Sequence, residues 1–191
     1  VFGEATGYTD ADLPEVFWLI DPIDGTSSFL KNIPAFTSMA VLIQDGEAVA
    51  SVIYNISLDD MYTAQKGKGA HKNGVRLDLT KTPLAKVAYC KGRFFEALDA
   101  ILAPMDVTCE NGPQGGGYGF TMVADGSAAA RFNLLGGGYT HDYAPGALLI
   151  SEAGGAIIPF KDDIYTYQAR SFVVCHPDLE PVLRPHAKEI R

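Results

Sequence analysis

The chain has 191 residues, a net charge of −8 and a hydrophobic fraction of 47%, which suits one large domain or two small intimate ones with a substantial core. No Lys/Arg run interrupts the acidic sequence, so binding to nucleic acid is not expected. No apolar run approaches the ~18–20 residues of a membrane span and no signal peptide is recognised, so no membrane partner is expected. Three scattered cysteines without a Cys-x-x-Cys pair predict reduced thiols and a cytoplasmic protein.

The most informative segment begins with the apolar run 16–20, which predicts a buried strand. The hexapeptide 21–26, Asp-Pro-Ile-Asp-Gly-Thr, follows directly and places two carboxylates at the strand end, before a short helix predicted over 26–31. Carboxylates can hold hard cations, while the N–H groups of Gly25 and Thr26 can bind an anion. This loop therefore favours a metal-dependent phosphatase site. The alternative is that Asp-Pro and Asp-Gly are ordinary turn dipeptides.

The rest of the first half has the pattern of an antiparallel meander. Asp45-Gly46 separates the apolar run 36–43 from the alternating segment 48–54, which is a strong hairpin signal. The segment 61–64 predicts one more strand, and glycines mark turns after it. The linker at 80–83 then suggests a division into a β-rich half, 1–80, and an α/β half, 81–191.

The second half alternates helices and strands, and no internal repeat is present. The glycine-dense segment 112–119 is interpreted as a connecting loop, because no P-loop Lys-Ser/Thr follows it; a phosphate cradle is the alternative. The other predicted elements are strands at 87–90, 107–109, 156–160 and 171–175, and helices at 93–102, 127–135, 144–153 and from 179 onward. This order predicts an α/β fold with layers.

Several motifs in order resemble those of one enzyme family. The segment 18–26 closely resembles the signature of the inositol monophosphatase family of Mg²⁺-dependent, Li⁺-sensitive phosphatases. Upstream, Gly3-Glu4 is similar to the family's Gly-Glu-Glu strand end, with Ala5 in place of the second Glu. The resemblance continues through the segments 27–29, 61–64, 66–70, 73–74, 126–129, 142–146 and 152–155.

The resemblance implies an α/β (α+β layered) fold, sugar-phosphatase-like, with alternating helix and sheet layers and with the family's N-terminal helical part absent from this chain. It implies hydrolysis of a small phosphorylated substrate by metal-activated water, and a homodimer. Inositol monophosphate is the first candidate substrate. Histidinol phosphate, fructose 1,6-bisphosphate and 3′-phosphoadenosine nucleotides are alternatives. The site would lie at the seam between the two halves.

The resemblance also implies a role for individual residues. The ligands of two or three Mg²⁺ ions would be the side chains of Glu4, Asp21, Asp24 and Asp142 and the carbonyl oxygen of Ile23. Asp21 would bridge two ions, and Thr26 would orient the attacking water, with Glu4 and Asp21 completing the catalytic set. Substrate contacts would come from Asp24, Gly25, Thr26, Gly126, Ser127, Ala128 and Asp142.

Three alternatives to this reading remain open. The family places Trp before the C-terminal aspartate, whereas this chain has His141 before Asp142. A His141–Asp142 dyad acting as general base is disfavoured, because adjacent residues on an extended chain point to opposite faces. An aspartyl-phosphate phosphatase of the haloacid-dehalogenase type would need Asp-x-Asp, not the spacing of Asp21 and Asp24. A non-catalytic, metal-dependent sugar-phosphate binder is the remaining alternative.

Overall fold

The computed structural model describes residues 1–3, 13–90, 92–112, 115–134 and 138–190. Within these ranges the strands form two sheets. The first sheet contains, in spatial order, β1 (Phe2–Gly3), β2 (Val16–Asp24), β3 (Thr37–Gln44), β4 (Glu47–Asn55), β5 (Asp60–Gln65), β6 (Gly69–Lys72) and β7 (Val75–Leu77). The second sheet has the spatial order β11-β12-β10-β8-β9, formed by β8 (Val87–Cys90), β9 (Thr108–Asn111), β10 (Ala130–Asn133), β11 (Ala156–Pro159) and β12 (Phe172–Cys175).

Helices connect and cover these sheets. The α-helices are α1 (Thr26–Leu30), α2 (Phe95–Leu102), α3 (Gly116–Ala124), α4 (Thr140–Glu152) and α5 (Glu180–Leu183). Short 3₁₀ helices cover Leu79–Lys81, Gly92–Phe94, Ala103–Met105, Pro177–Leu179 and Arg184–His186. The longest helix in the described ranges has 13 residues, and no helix there combines the length and apolarity needed to cross a bilayer.

The first sheet is the antiparallel meander that the sequence predicts, with β1 added in parallel beside β2. The β3–β4 hairpin turns at Asp45 and Gly46, whose φ angles are 52° and 77°. Positive φ at both central residues belongs to the type I′ turn, whose twist matches that of the flanking strands. The predicted hairpin is therefore confirmed.

Layers alternate between sheet and helix, as expected. α3 and α4 pack against strands of both sheets, whereas α2 and α5 pack against the second sheet and each other. One core cluster joins the two halves through buried residues such as Met39, Ile53, Phe120 and Phe172. Burial of each such side chain contributes about 1.5–3 kcal/mol. The two halves share this core. The division into two domains at residue 80 stays a prediction.

Three predictions from the sequence are wrong. The helix predicted over 127–135 is not formed in its described part, 127–134: residues 130–133 form β10, because pairing with β8 and β12 outweighs the helix propensity of the alanines. The segment 112–119 is not simply a loop, since α3 begins at Gly116. The sequence predicts a solvated surface position for His176, because it lies near a turn, but His176 is buried and its Nε2 lies 2.8 Å from the carbonyl oxygen of Thr82.

Candidate metal centre

Strand β2 brings two aspartates onto one face of the first sheet. Its side chains alternate between exposed and buried up to Asp21, as expected for a half-buried strand. A regular strand would turn Asp24, three residues later, to the opposite face. The pairing with β3 shifts register between Asp21 and Asp24, and the extra residue of such a bulge restores the inward direction. Both aspartates are therefore buried, with exposed fractions of 3% and 7%.

Asp24 joins the first half of the chain to the N-terminus of α3. Its Oδ1 accepts a hydrogen bond from the N–H of Gly116 at 2.9 Å, and its Oδ2 accepts one from Gly117 at 2.8 Å. The hydroxyl of Thr37 donates to the same Oδ2 at 3.4 Å. The first N–H groups of a helix have no partner within the helix, and the helix dipole favours an anion there. Asp24 thus fixes the start of α3.

This contact requires glycine at the start of α3. Gly115 has a φ of +97°, and a Cβ there would lie 2.7 Å from Oδ2 of Asp24. A Cβ at Gly117 would overlap the Thr37 hydroxyl and lie 3.0 Å from the sulfur of Met39. The glycine-dense segment therefore lets the helix backbone approach the carboxylate closely.

Asp142 comes from the second half of the chain, in the first turn of α4. Its Oδ2 accepts a hydrogen bond from the N–H of Tyr139 at 2.5 Å, and its own N–H donates to the carbonyl oxygen of Tyr139 at 3.1 Å. Its Oδ1 lies 3.5 Å from Nε2 of His141. The ring of His141 is buried and stacks on the Tyr139 ring, with centroids 5.3 Å apart and planes at 14°. The helix start therefore holds both side chains in place.

The two halves meet at Asp21, His141 and Asp142. One ligand atom from each of these side chains lies within 4.8 Å of the other two. We call these three residues the carboxylate–histidine cluster. This spacing suits donors around a single divalent cation. The donor types also suit a metal, since carboxylate oxygens are the preferred ligands of Mg²⁺ and imidazole nitrogen binds transition metals.

The electrostatics around the cluster favour an added cation. Burial raises the pKa of the Asp24 carboxyl above its ordinary value, and the charge of Asp142 raises it further. The Gly116 and Gly117 N–H groups and the Arg131 guanidinium oppose this rise. Among the described residues, no Lys or Arg forms an ion pair with Asp24 or Asp142. A bound cation would stabilise these charged carboxylates.

Other predicted residues lie in the turn that follows β2. The hydroxyl of Thr26 donates to the carbonyl oxygen of Ile23 at 3.1 Å, and the Ile23 N–H donates to Oδ1 of Asp21 at 3.1 Å. Gly25 has a φ of 82°, the left-handed conformation that glycine adopts without strain. Thr26 is exposed at the start of α1. The structure therefore keeps Ile23, Gly25 and Thr26 beside Asp21.

Gly126, Ser127 and Ala128 are not brought to the cluster. They follow the C-terminus of α3, whereas Asp24 contacts its N-terminus, and nine helical residues span about 13 Å. The N–H and hydroxyl of Ser127 donate to Oδ1 of Asp125 at 3.2 and 2.6 Å. Glu4, the other predicted metal ligand, lies outside the described residues.

Sequence reasoning missed two features of the site. It treated Gly115 to Gly117 as connector, although dense glycines after a strand were the available signal for close backbone approach. It also placed His141 and Asp142 on an extended segment, which would separate their side chains. They lie in the first turn of α4 instead, where the Nε2 of His141 reaches the Asp142 carboxylate. A polar residue at the start of an apolar periodic segment was the missed sign of a helix start.

The fold and site define a layered α/β protein with a buried carboxylate centre, and comparison with known proteins agrees. A model of the inositol monophosphatase family matches residues 2–191. Inositol monophosphatase 1 of Mus musculus is 28% identical over 186 residues, covering 91% of this chain. Nus factor SuhB of Salmonella typhimurium is 34% identical over 168 residues, covering 83% of this chain. The chain belongs to the inositol monophosphatase family.

The chain spans 65% and 60% of the lengths of these two relatives. A solved structure of an IMPase/NADP phosphatase complexed with Mg²⁺ and phosphate has the same fold, with a TM-score of 0.78 at 18% identity. That match covers 96% of this chain and 71% of the solved one. The layered α/β architecture expected from the sequence is confirmed.

Proposed function

We propose that this chain hydrolyses a small phosphomonoester in a Mg²⁺-dependent reaction, with inositol monophosphate as the first candidate substrate. The observation that carries the proposal is the meeting of Asp21 and Asp142, from opposite halves of the chain, within 4.8 Å in the carboxylate–histidine cluster. Membership of a phosphatase family supports the reaction class. The inositol substrate is supported by the name of the mouse relative.

Mg²⁺ would be held by Asp21, Asp24 and Asp142, together with Glu4 and the carbonyl oxygen of Ile23. Two buried carboxylates and an available carbonyl fit the hard oxygen donors that Mg²⁺ prefers. When bound, two or three ions would supply positive charge to the phosphate oxygens and acidify the attacking water. The Mg²⁺ and phosphate in the solved relative support this choice of ion.

Thr26 would orient the attacking water. A hydroxyl has one proton to donate and two lone pairs to accept. The Thr26 proton is donated to the Ile23 carbonyl oxygen, which leaves the lone pairs to accept from water. Asp21 and Glu4 would complete the catalytic set, and the N–H groups of Gly25 and Thr26 would bind phosphate oxygens at the start of α1.

The remaining substrate contacts would come from Asp24 and Asp142, which lie at the N-termini of α3 and α4. Histidinol phosphate, fructose 1,6-bisphosphate and 3′-phosphoadenosine nucleotides are the alternative substrates. A nucleotide is favoured among these by the solved relative, which is described as an IMPase/NADP phosphatase. A homodimer, lithium sensitivity and a cytoplasmic location stay predictions.

A metal-dependent phosphate binder without turnover is the second candidate. The SuhB relative supports a role other than turnover only in that its name, Nus factor, is not that of an enzyme. In this reading Asp24 serves chiefly to fix the start of α3, through its bonds to Gly116 and Gly117.

The test is phosphate release by the full chain from a panel of these phosphomonoesters, with Mg²⁺, with EDTA and with added Li⁺. Release that requires Mg²⁺ and is lost in Asp21→Asn is the expected result. Saturable binding of inositol monophosphate with no release from any member of the panel would instead select the binding role. A trapped phosphoenzyme would contradict direct attack by water and favour an aspartyl-phosphate mechanism.

A further inference from the structure

His141 has a position in the metal centre that the family pattern does not explain. The residue is 2% exposed and lies in the first turn of α4, with Nε2 3.5 Å from Oδ1 of Asp142. A nitrogen of its ring also lies within 4.8 Å of a carboxylate oxygen of Asp21. An imidazole therefore lies close to two carboxylates that come from different halves of the chain.

The side chain at this position differs chemically from the one in the family signature that the segment resembles. The signature has Trp before the aspartate, and the indole N–H is only a donor, so Trp cannot bind a cation through nitrogen. Histidine offers a ring nitrogen, which is the commonest metal ligand among side chains. Replacing Trp by His thus adds a possible ligand to the site without removing either carboxylate.

The ring of His141 is also held in place. It stacks nearly parallel on the Tyr139 ring at 5.3 Å, and Tyr139 is itself bonded through its N–H to Asp142. A ligand whose orientation is fixed before binding loses little freedom when the cation arrives. The stacking and the Tyr139–Asp142 hydrogen bond therefore orient the imidazole in the cluster.

We propose that His141 is a metal ligand which, with Asp21 and Asp142, forms a mixed nitrogen–oxygen site for a borderline transition-metal ion of the Zn²⁺ class. This inference rests on the proposed function in so far as Asp21 and Asp142 hold the cation. Imidazole suits Zn²⁺ and its neighbours, whereas Mg²⁺ prefers oxygen donors and retains water. The chain then binds Zn²⁺ or Co²⁺ more tightly than an all-oxygen site would.

The first test uses the unaltered full chain loaded with one equivalent of Zn²⁺. X-ray absorption at the zinc edge is expected to show the outer-shell scattering of an imidazole ring. The signal should disappear in His141→Phe, which preserves an aromatic ring for Tyr139 to stack on, and persist in the matched control His71→Phe. An imidazole signal that survives in His141→Phe, or its absence from the unaltered chain, would overturn the inference.

The second test measures affinity for Co²⁺ alone and for Mg²⁺ alone by calorimetry. His141→Phe is expected to weaken Co²⁺ binding at least about 10-fold, in the range found when metal-site partners are removed, and to change Mg²⁺ binding much less. Unchanged Co²⁺ affinity in this variant, with Mg²⁺-dependent phosphate release intact, overturns the inference and leaves the proposed function standing. Unchanged Mg²⁺ affinity in Asp21→Asn would overturn the proposed function itself.

Discussion

Acidic side chains lie at both ends of α3, but their negative charge is compensated by different groups at the two ends. At the N-terminal end, Asp24 is bonded to helix N–H groups and lies near Asp142. At the C-terminal end, Asp125 and Asp60 both pair with Lys72, whose Nζ lies 3.4 and 2.9 Å from them. The Tyr62 hydroxyl donates to Asp125 at 2.9 Å.

The difference follows from the direction of the helix dipole. A carboxylate is favoured at a helix N-terminus and disfavoured at a C-terminus, so Asp125 needs a nearby cation that the chain supplies as Lys72. At the other end, the carboxylates of β2 and α4 meet without an ion pair from Lys or Arg to Asp24 or Asp142 among the described residues. We infer that the acidic group at the C-terminal end of α3 stabilises the fold, and that the carboxylates at its N-terminal end are arranged to receive a cation.

The largest effect is expected from Asp21→Asn, because it removes one of the two carboxylate charges of the carboxylate–histidine cluster. Phosphate release should fall at least about 100-fold, since loss of a direct ligand exceeds the effect of losing a supporting one. Steady-state assays and Mg²⁺ calorimetry measure the change. Asp60→Asn, at the opposite end of α3, is the control and should keep its activity per folded molecule. Equal losses in both variants would remove the distinction between the two ends.

Gly117→Ala tests the close approach of α3 to Asp24. The new methyl group would overlap the Thr37 hydroxyl, so we expect a loss of about 1–3 kcal/mol in the free energy of unfolding. Activity should fall as well, because the carboxylate is displaced. Urea unfolding and phosphate release measure the two effects. The double variant with Thr37→Ala should recover part of the stability; no recovery would show that the overlap is not the cause.

Lys72→Met should destabilise the chain and leave its chemistry intact. The ion pairs of Lys72 are partly exposed, with 31% of its side chain accessible, so we expect a loss of about 1 kcal/mol. The variant would leave Asp125 at a helix C-terminus without its cation. Urea unfolding measures the loss. A large fall in the turnover number, measured on folded protein, would show that this end also serves catalysis.

Ser127→Ala tests whether Ser127 contacts the substrate, as the resemblance implies. The resemblance places Ser127 at the substrate, whereas its hydroxyl donates to Asp125 at the far end of α3. We expect a change in KM of less than about twofold and a stability loss of about 0.5–1.5 kcal/mol, as for a typical hydrogen bond. Substrate saturation curves decide between them, since a KM raised tenfold would support the contact with substrate.

The smallest effect concerns pH. Hydrogen bonding to Lys72 holds the pKa of Asp60 below its ordinary value of 3.8. The folded state therefore favours the ionised form, so this stabilisation is present above pH 3.8 and is lost as the pH falls through the lower folded pKa. The difference in urea midpoint between the unaltered chain and Lys72→Met should narrow below about pH 4. A constant difference down to pH 2 would assign the effect to packing of the lysine stem.

The sequence predicted the elements whose signals are local. Asp45-Gly46 specified its hairpin through turn chemistry alone, and the apolar periodicity of 144–153 predicted most of α4. Segment 127–135 was misread because the pairing of β10 with β8 and β12 involves residues far apart in the chain. Tertiary pairing of this kind leaves little trace in one sequence.

The sequence predicted the parts of the site that depend on local signals, and missed those that depend on tertiary contacts. The hexapeptide 21–26 identified Asp21 and Asp24, but their shared orientation depends on a bulge in the pairing with β3, which no local pattern announces. Asp142 was identified only through the resemblance. The contacts of Asp24 with Gly116 and Gly117 join residues more than ninety positions apart and could be seen only in three dimensions.

Helix α4 has Asp142 in its first turn and Glu152 in its last. The Glu152 carboxylate accepts hydrogen bonds from the N–H groups of Gly67, in the turn after β5, and Gly69, the first residue of β6, both at 2.8 Å. At the other end, a carboxylate oxygen of Asp142 lies within 4.8 Å of one from Asp21 in β2, so the length and phase of the helix set the distance between two separate contacts with the first sheet. One residue inserted between 144 and 150 would rotate one end by about 100° relative to the other. We therefore expect such an insertion to disrupt either the Asp142 contact or the Glu152 hydrogen bonds, whereas exposed substitutions in α4 should leave both in place.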